Sequence, residues 1–157
     1  KMSFTAGSNW ITNIINLLSD SWTRANTANT KPVIKHVTDP SLSQRMDLTL
    51  SDYVLLYHVS TTKEPNDLGW NRAKQATTLS IDIRTIHGYT RLDLLETEAL
   101  RILNLNRSMP TDTAGTSLGF NYIKPFRRMD LTNKQYKLWR YVWDAELVNY
   151  RVSITGT

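Results

Sequence analysis

A chain of 157 residues, 40% apolar and 21% charged, has the size and composition of one globular domain, which sets aside a disordered polypeptide. Nineteen Lys and Arg against fourteen Asp and Glu give a net charge of +5, which favours acidic partners without by itself making a nucleic-acid binder. There is no cysteine, so disulfides, thiolate catalysis and Cys-based zinc sites are excluded.

The opening segment, KMSFTAGSNW, has no apolar run leading to a small-residue cleavage pattern, and no signal peptide is expected. No stretch approaches the roughly 18 apolar residues of a membrane-spanning helix, so no membrane partner is expected either. Residues 1–7 read as a loosely held arm. Ser8 then caps a helix whose Trp10, Ile11, Ile14, Ile15, Leu18 and Trp22 recur on one side, with Asn13, Asn16 and Ser19 on the other. A polar turn leads to a strand over 32–37, opened by Pro32, where a missing N–H is tolerated. Asp39-Pro40 ends it, and 38–51 reads as irregular. Tyr53 to Val59 is β-rich and apolar enough for a central strand. Residues 60–76 carry Pro65, Asn66, Asp67 and Gly69 without clear periodicity and read as a long loop, of the kind that is usually functional or mobile.

The stretch Thr77 to Arg107 commits most clearly to its structure. Leu79, Ile81 and Ile83 alternate with Ser80, Asp82 and Arg84, as in a strand with one buried and one wet face. After Gly88 the period changes, and Leu92, Leu95, Ala99, Ile102 and Leu103 line one side of a helix. Thr90 and Asp93 stand as a capping box at its start. A polar linker over 108–117 follows. An extended segment then runs over 118–129, in which Pro125 marks an edge or a bulge. In the last element Trp139, Tyr141, Trp143, Ala145 and Leu147 alternate with Arg140, Val142, Asp144, Glu146 and Val148, a strand with an aromatic face and a mostly charged one. The expected fold is therefore α+β: a single domain over 1–157 in the order α-β-β-β-α-β-β, with both helices on one face of a mainly antiparallel sheet.

Convergent chemistry is sparse. A metal-dependent nuclease could use Asp82 with Glu96 or Glu98, but Arg84 stands where such sites carry Lys, and charges alternating along a strand are ordinary solvent-face residues. His36, His58 and His87 lack ligand spacing, and no phosphate-binding glycine loop occurs. Neither an enzyme nor a cofactor or metal site is expected. Lys124, Arg127 and Arg128 around Phe126, followed by Lys134, Lys137 and Arg140 with Tyr136 and Trp139, could hold phosphates and stack bases. The competing reading puts those charges on solvated turns and the aromatics in the core.

The strand-turn-helix LSIDIRTIHGYTRLDLLETEALRILN and the closing strand Tyr141 to Leu147, placed after an N-terminal helix, resemble the tail terminators of tailed bacteriophages, also called tail-completion or head-to-tail joining proteins. The resemblance implies a structural virion protein, assembled in the host cytoplasm, that forms a ring, commonly a hexamer. Such a ring caps the tail tube, joins it to the head connector, and lets DNA through its lumen without sequence-specific binding. Its partners would be copies of itself, the tail tube protein and the connector or neck protein. A neck or head-closure protein of the same joint, or a nucleic-acid-binding module working through 124–140, are the alternatives. Under this reading the 60–76 loop and the N-terminal arm meet neighbouring subunits. Trp70 is the candidate anchor, and Lys63, Glu64, Asp67, Arg72 and Lys74 are its charged surround.

Overall fold

A computed structural model describes residues 8–44, 47–65, 72–108, 110 and 120–153. The chain runs α1 (Ser8–Ser21), β1 (Val33–His36), α2 (Pro40–Gln44), β2 (Tyr53–Pro65), β3 (Arg72–Thr85), α3 (Tyr89–Leu105), β4 (Tyr122–Asp130) and β5 (Trp139–Ser153). Short 3-10 turns occupy Arg24–Thr27 and Lys134–Tyr136. The five strands form one sheet in the order β1-β2-β3-β5-β4. β1 pairs parallel to β2, and the other three pairings are antiparallel. The parallel pair needs a crossover, and residues 37–52 with α2 supply it.

Alternation decides which face the helices cover. Val54, Ile83 and Tyr141 stand in register across β2, β3 and β5, and Leu56, Ile81 and Trp143 form the next rung. With Ile34, Leu79, Ile123, Ala145 and Leu147 they meet Trp10, Ile14, Leu17 and Leu18 of α1 and Leu92, Leu95, Ala99, Ile102 and Leu103 of α3 in one buried cluster. Both long helices thus lie on one face of the sheet, and α+β is the architecture.

Charged side chains fasten the helix layer. Glu98, buried on α3, accepts from the Thr23 amide at 2.6 Å, from Asn26 at 2.9 Å and from Arg101 at 2.6 and 2.8 Å. Burial pushes its carboxyl up, but those hydrogen bonds and the Arg101 charge outweigh it and hold the group below the usual range. Arg91 likewise ties α3 to Asp52 at 2.8 Å and to the Thr27 carbonyl.

Three expectations are corrected. Residues 60–76 are not a long loop: 60–65 continue β2 and 72–76 begin β3, with rungs from Ser60↔Thr78 to Pro65↔Ala73. The ladder, and no alternation of apolar residues, holds these polar ends extended. The capping box at Thr90 and Asp93 is absent. α3 opens at Tyr89 behind Gly88, whose φ of +95° needs glycine, and Asp93 instead accepts from the Tyr141 hydroxyl at 3.1 Å. The 38–51 stretch contains α2, where Asp39 accepts from the Ser41 amide at 2.9 Å and Pro40 takes the first helical position. The 1–7 arm lies outside the described residues.

Candidate interaction surfaces

Four of the six residues proposed for a partner contact fall on paired strands. Lys63 and Glu64 lie near the end of β2, and Arg72 and Lys74 at the start of β3. Glu64 is in register with Lys74, Lys63 with Gln75, and Arg72 with Ser153 of β5. Asp67 and Trp70 lie outside the described residues. The contact reading thus moves from a loop to the end of a three-stranded ribbon. β2, β3 and β5 have 13, 14 and 15 residues, roughly 43–50 Å of strand. α1 and α3, at 14 and 17 residues, measure only about 21–26 Å. Beyond Leu79 and Leu147 the helix-side positions turn polar, with Thr77, Gln75 and Asn149 all buried. The Thr77 hydroxyl lies 3.2 Å from that of Thr61, which is 2.7 Å from His58 Nε2. The Gln75 side-chain nitrogen is buried without a hydrogen-bond partner among the described residues.

The opposite face of the sheet carries no helix among the described residues, yet it is not the wet face its charges suggest. Asp82 is 1% exposed. Arg84 donates to its two oxygens at 3.2 and 2.8 Å, and Arg140 does so at 2.9 and 2.7 Å. Burial raises the Asp82 carboxyl, but the hydrogen bonds and charges of the two arginines outweigh that and hold it below the ordinary 3.8. Arg84 and Arg140 are themselves direct cross-strand neighbours, where like charges repel, and the single Asp82 charge shared between them offsets part of that repulsion. One rung along, Asp144 accepts from Ser80 at 2.7 Å and from Arg127 at 3.0 Å. Leu55 and Val142, the register partners of Asp82, are buried on that face, as is Val148 further along β5.

β4 is an edge strand. The Ile123 amide turns away from β5 to the Arg107 carbonyl at 2.8 Å, and alternation sends the donor-less Pro125 nitrogen the same way. A register shift between Pro125 and Arg127 leaves Phe126 unpaired at a bulge, half exposed at 50%. Arg127 and Arg128 follow, then Met129, Leu131 and Tyr136, the last 74% exposed. Trp139, by contrast, packs against the core. The two readings of the 124–140 aromatics therefore divide: Tyr136 and Phe126 face solvent, and Trp139 does not.

The carboxylates considered for a nuclease do not converge. Asp82 is on the open face of the sheet. Glu96 is on the helix side, accepting from Trp143 Nε1 at 2.7 Å and from Arg128 at 3.1 Å, and Glu98 is locked to the α1 end. The histidines are likewise scattered: His36 Nδ1 meets Thr38, His58 packs edge-on against Trp10, and His87 is exposed near the start of α3. Among the described residues no group of three or more His, Asp or Glu could hold a metal ion, and no helix is long and apolar enough to cross a membrane.

The Asp82 lattice was beyond sequence reasoning because Arg140 is 58 positions away and is brought alongside only by the β3–β5 register. The exposed Phe126 did have a signal: Pro125 announced the edge. No protein-family model matches the chain, and no curated protein does.

Proposed function

We propose that this chain is a structural subunit of a tailed virus particle, a tail terminator that forms a ring capping the tail tube and joining it to the head. The observation that carries the reading is the β2-β3-β5 ribbon, whose strands outrun the helix layer and end in charged positions of both signs. The α-β-β-β-α-β-β order of the main elements, on which the resemblance rests, supports it. A closed ring needs two unlike surfaces on each copy, so that the contact repeats by rotation. The sheet offers two unlike edges. β1 is four residues long, with exposed Val37 just beyond it, and β4 is nine residues long with a bulge. Lys63, Glu64, Arg72 and Lys74 at the ribbon end are the residues assigned to the neighbouring copy or ring.

The test is genetic and microscopic. Particles assembled without this chain are expected to show overgrown tails detached from heads. Normal-length tails joined to heads in its absence would overturn the proposal. At finer grain, Glu64→Lys with Lys74→Glu exchanges the signs of two register partners. That pair keeps the monomer's pairing intact and should restore ring formation less well than the parent. Full ring formation by the exchanged pair would remove the ribbon end from the contact.

A further inference from the structure

The chain's surplus charge is concentrated in one place. From Lys124 to Lys137 there are five cations, Lys124, Arg127, Arg128, Lys134 and Lys137, against Asp130 alone. That is +4 of the total +5, so the remaining 143 residues carry only +1 between them. All five cations are exposed. Arg127 bonds Asp144 with Nε and one terminal nitrogen, and Arg128 bonds Glu96 with Nη1. Each guanidinium has five N–H donors, so both keep donors for an outside group. Lys134 lies 5.7 Å from the Tyr89 ring centre, and Asp130 is taken by Thr132 and the Tyr89 hydroxyl.

Two aromatic rings share this edge. Phe126 stands out at the bulge and Tyr136 on the turn that closes the β4–β5 hairpin. The other 143 residues, at a net +1, bring no net negative charge to match this edge. A polyanion with flat faces fits both features: phosphates for the cations, bases for the rings.

We propose that the bulged part of β4 from Lys124 to Arg128 and the turn over 131–137 bind single-stranded nucleic acid, the five cations holding the backbone and Phe126 and Tyr136 stacking on bases. A stacked base requires an unpaired strand, which is why a single strand and not a duplex is specified. The inference goes beyond the ring reading and does not rest on it, because its test uses the isolated chain.

Fluorescence anisotropy with a labelled oligo-dT of roughly 15 nucleotides, titrated across salt concentrations, supplies the measurement. If three to five phosphates are neutralised, log K should fall against log salt with a slope of about −2 to −3.5. Lys124→Ala with Lys137→Ala should flatten that slope by about 1.4. Phe126→Ala and Tyr136→Ala should each weaken binding roughly 5- to 100-fold while leaving the slope unchanged. Circular dichroism melts on all variants check that these exposed substitutions leave the fold intact. Three results would each overturn the proposal: a duplex of equal length bound as tightly as the single strand, equal competition by a polyglutamate peptide of matched charge, or unchanged affinity in the aromatic variants.

Discussion

Replacing Asp82 by Asn removes a charge from the middle of the sheet while nearly keeping its volume. The carboxylate receives four hydrogen bonds from Arg84 and Arg140. Breaking a buried ion pair by removing one partner costs about 3–5 kcal/mol. Here the abandoned arginines are 19% and 27% exposed and regain some water, while their cross-strand repulsion is unmasked. These effects oppose each other, and a loss of about 2–4 kcal/mol is expected. For a chain of this length each kcal/mol lowers Tm by roughly 2–4 °C, so the shift should exceed about 4 °C. Urea titration followed by tryptophan fluorescence gives the free energy directly.

The pH dependence of this variant has a definite sign. The folded Asp82 carboxyl sits below its ordinary 3.8, so its contribution is full above the unfolded value and is lost as pH falls through the folded one. The gap between parent and Asp82→Asn should therefore narrow on acidification below about pH 4. A second variant separates charge removal from general disturbance: Asp82→Leu, Arg84→Leu and Arg140→Met together replace the whole cluster. Apolar replacement of buried ion clusters is often neutral or stabilising by about 1–4 kcal/mol. A single Asp82→Asn change that leaves stability within about 0.5 kcal/mol of the parent would refute the reasoning, because surface substitutions stay within that range.

Other expectations bear on separate parts of the molecule. Gly88→Ala meets no atom within 4 Å, so its cost comes from backbone strain alone at φ +95°, about 1–3 kcal/mol in a chemical melt; an unchanged midpoint would mean that the α3 start relaxes freely. Gln75→Met removes a buried nitrogen with no partner among the described residues and should stabilise by about 1–2 kcal/mol; destabilisation would reveal an acceptor for that nitrogen. Glu98→Gln weakens the link between α3 and the end of α1, and hydrogen exchange at Thr23 and Asn26 should quicken at least tenfold, with retained protection excluding that link. The Tyr141 hydroxyl, pushed up to about 12 by burial and by its bond to Asp93, should stay protonated in a spectrophotometric titration at pH 10.5, where a free tyrosine is largely ionised.

What the sequence made legible was whatever depends on local period. The change from Leu79-Ile81-Ile83 to Leu92-Leu95-Ala99 is a change from 2 to 3.6 residues, and both elements lie where that change puts them. The aromatic alternation from Trp139 to Leu147 likewise names the helix-facing side of β5. The outer ends of β2 and β3 were illegible because Thr61, Thr62, Ala76 and Thr77 owe their extended form to ladder partners on other strands. The burial of Asp82 was hidden for a related reason. An alternating Asp and Arg reads the same whether water or a second arginine faces it. α2 did leave a trace, Asp39 followed by Pro40, but a helix of five residues has no period to display.

The strand order also bears on how the protein is made. β5 is the last of the described strands and lies inside the sheet, between β3 and β4. β4 is therefore synthesised before β5, the strand it pairs with along its length, and β3 leaves one long side unpaired until β5 arrives. From Ile86 to Ser153 the ribosome adds 68 residues, which takes about 3–14 s at ordinary elongation rates. During those seconds the nascent chain exposes Ile81 and Ile83 beside an open ladder, the kind of edge to which other chains add. A slowed ribosome after α3 should thus raise aggregation, and crowded synthesis of many copies at once would call for a chaperone that shields β3.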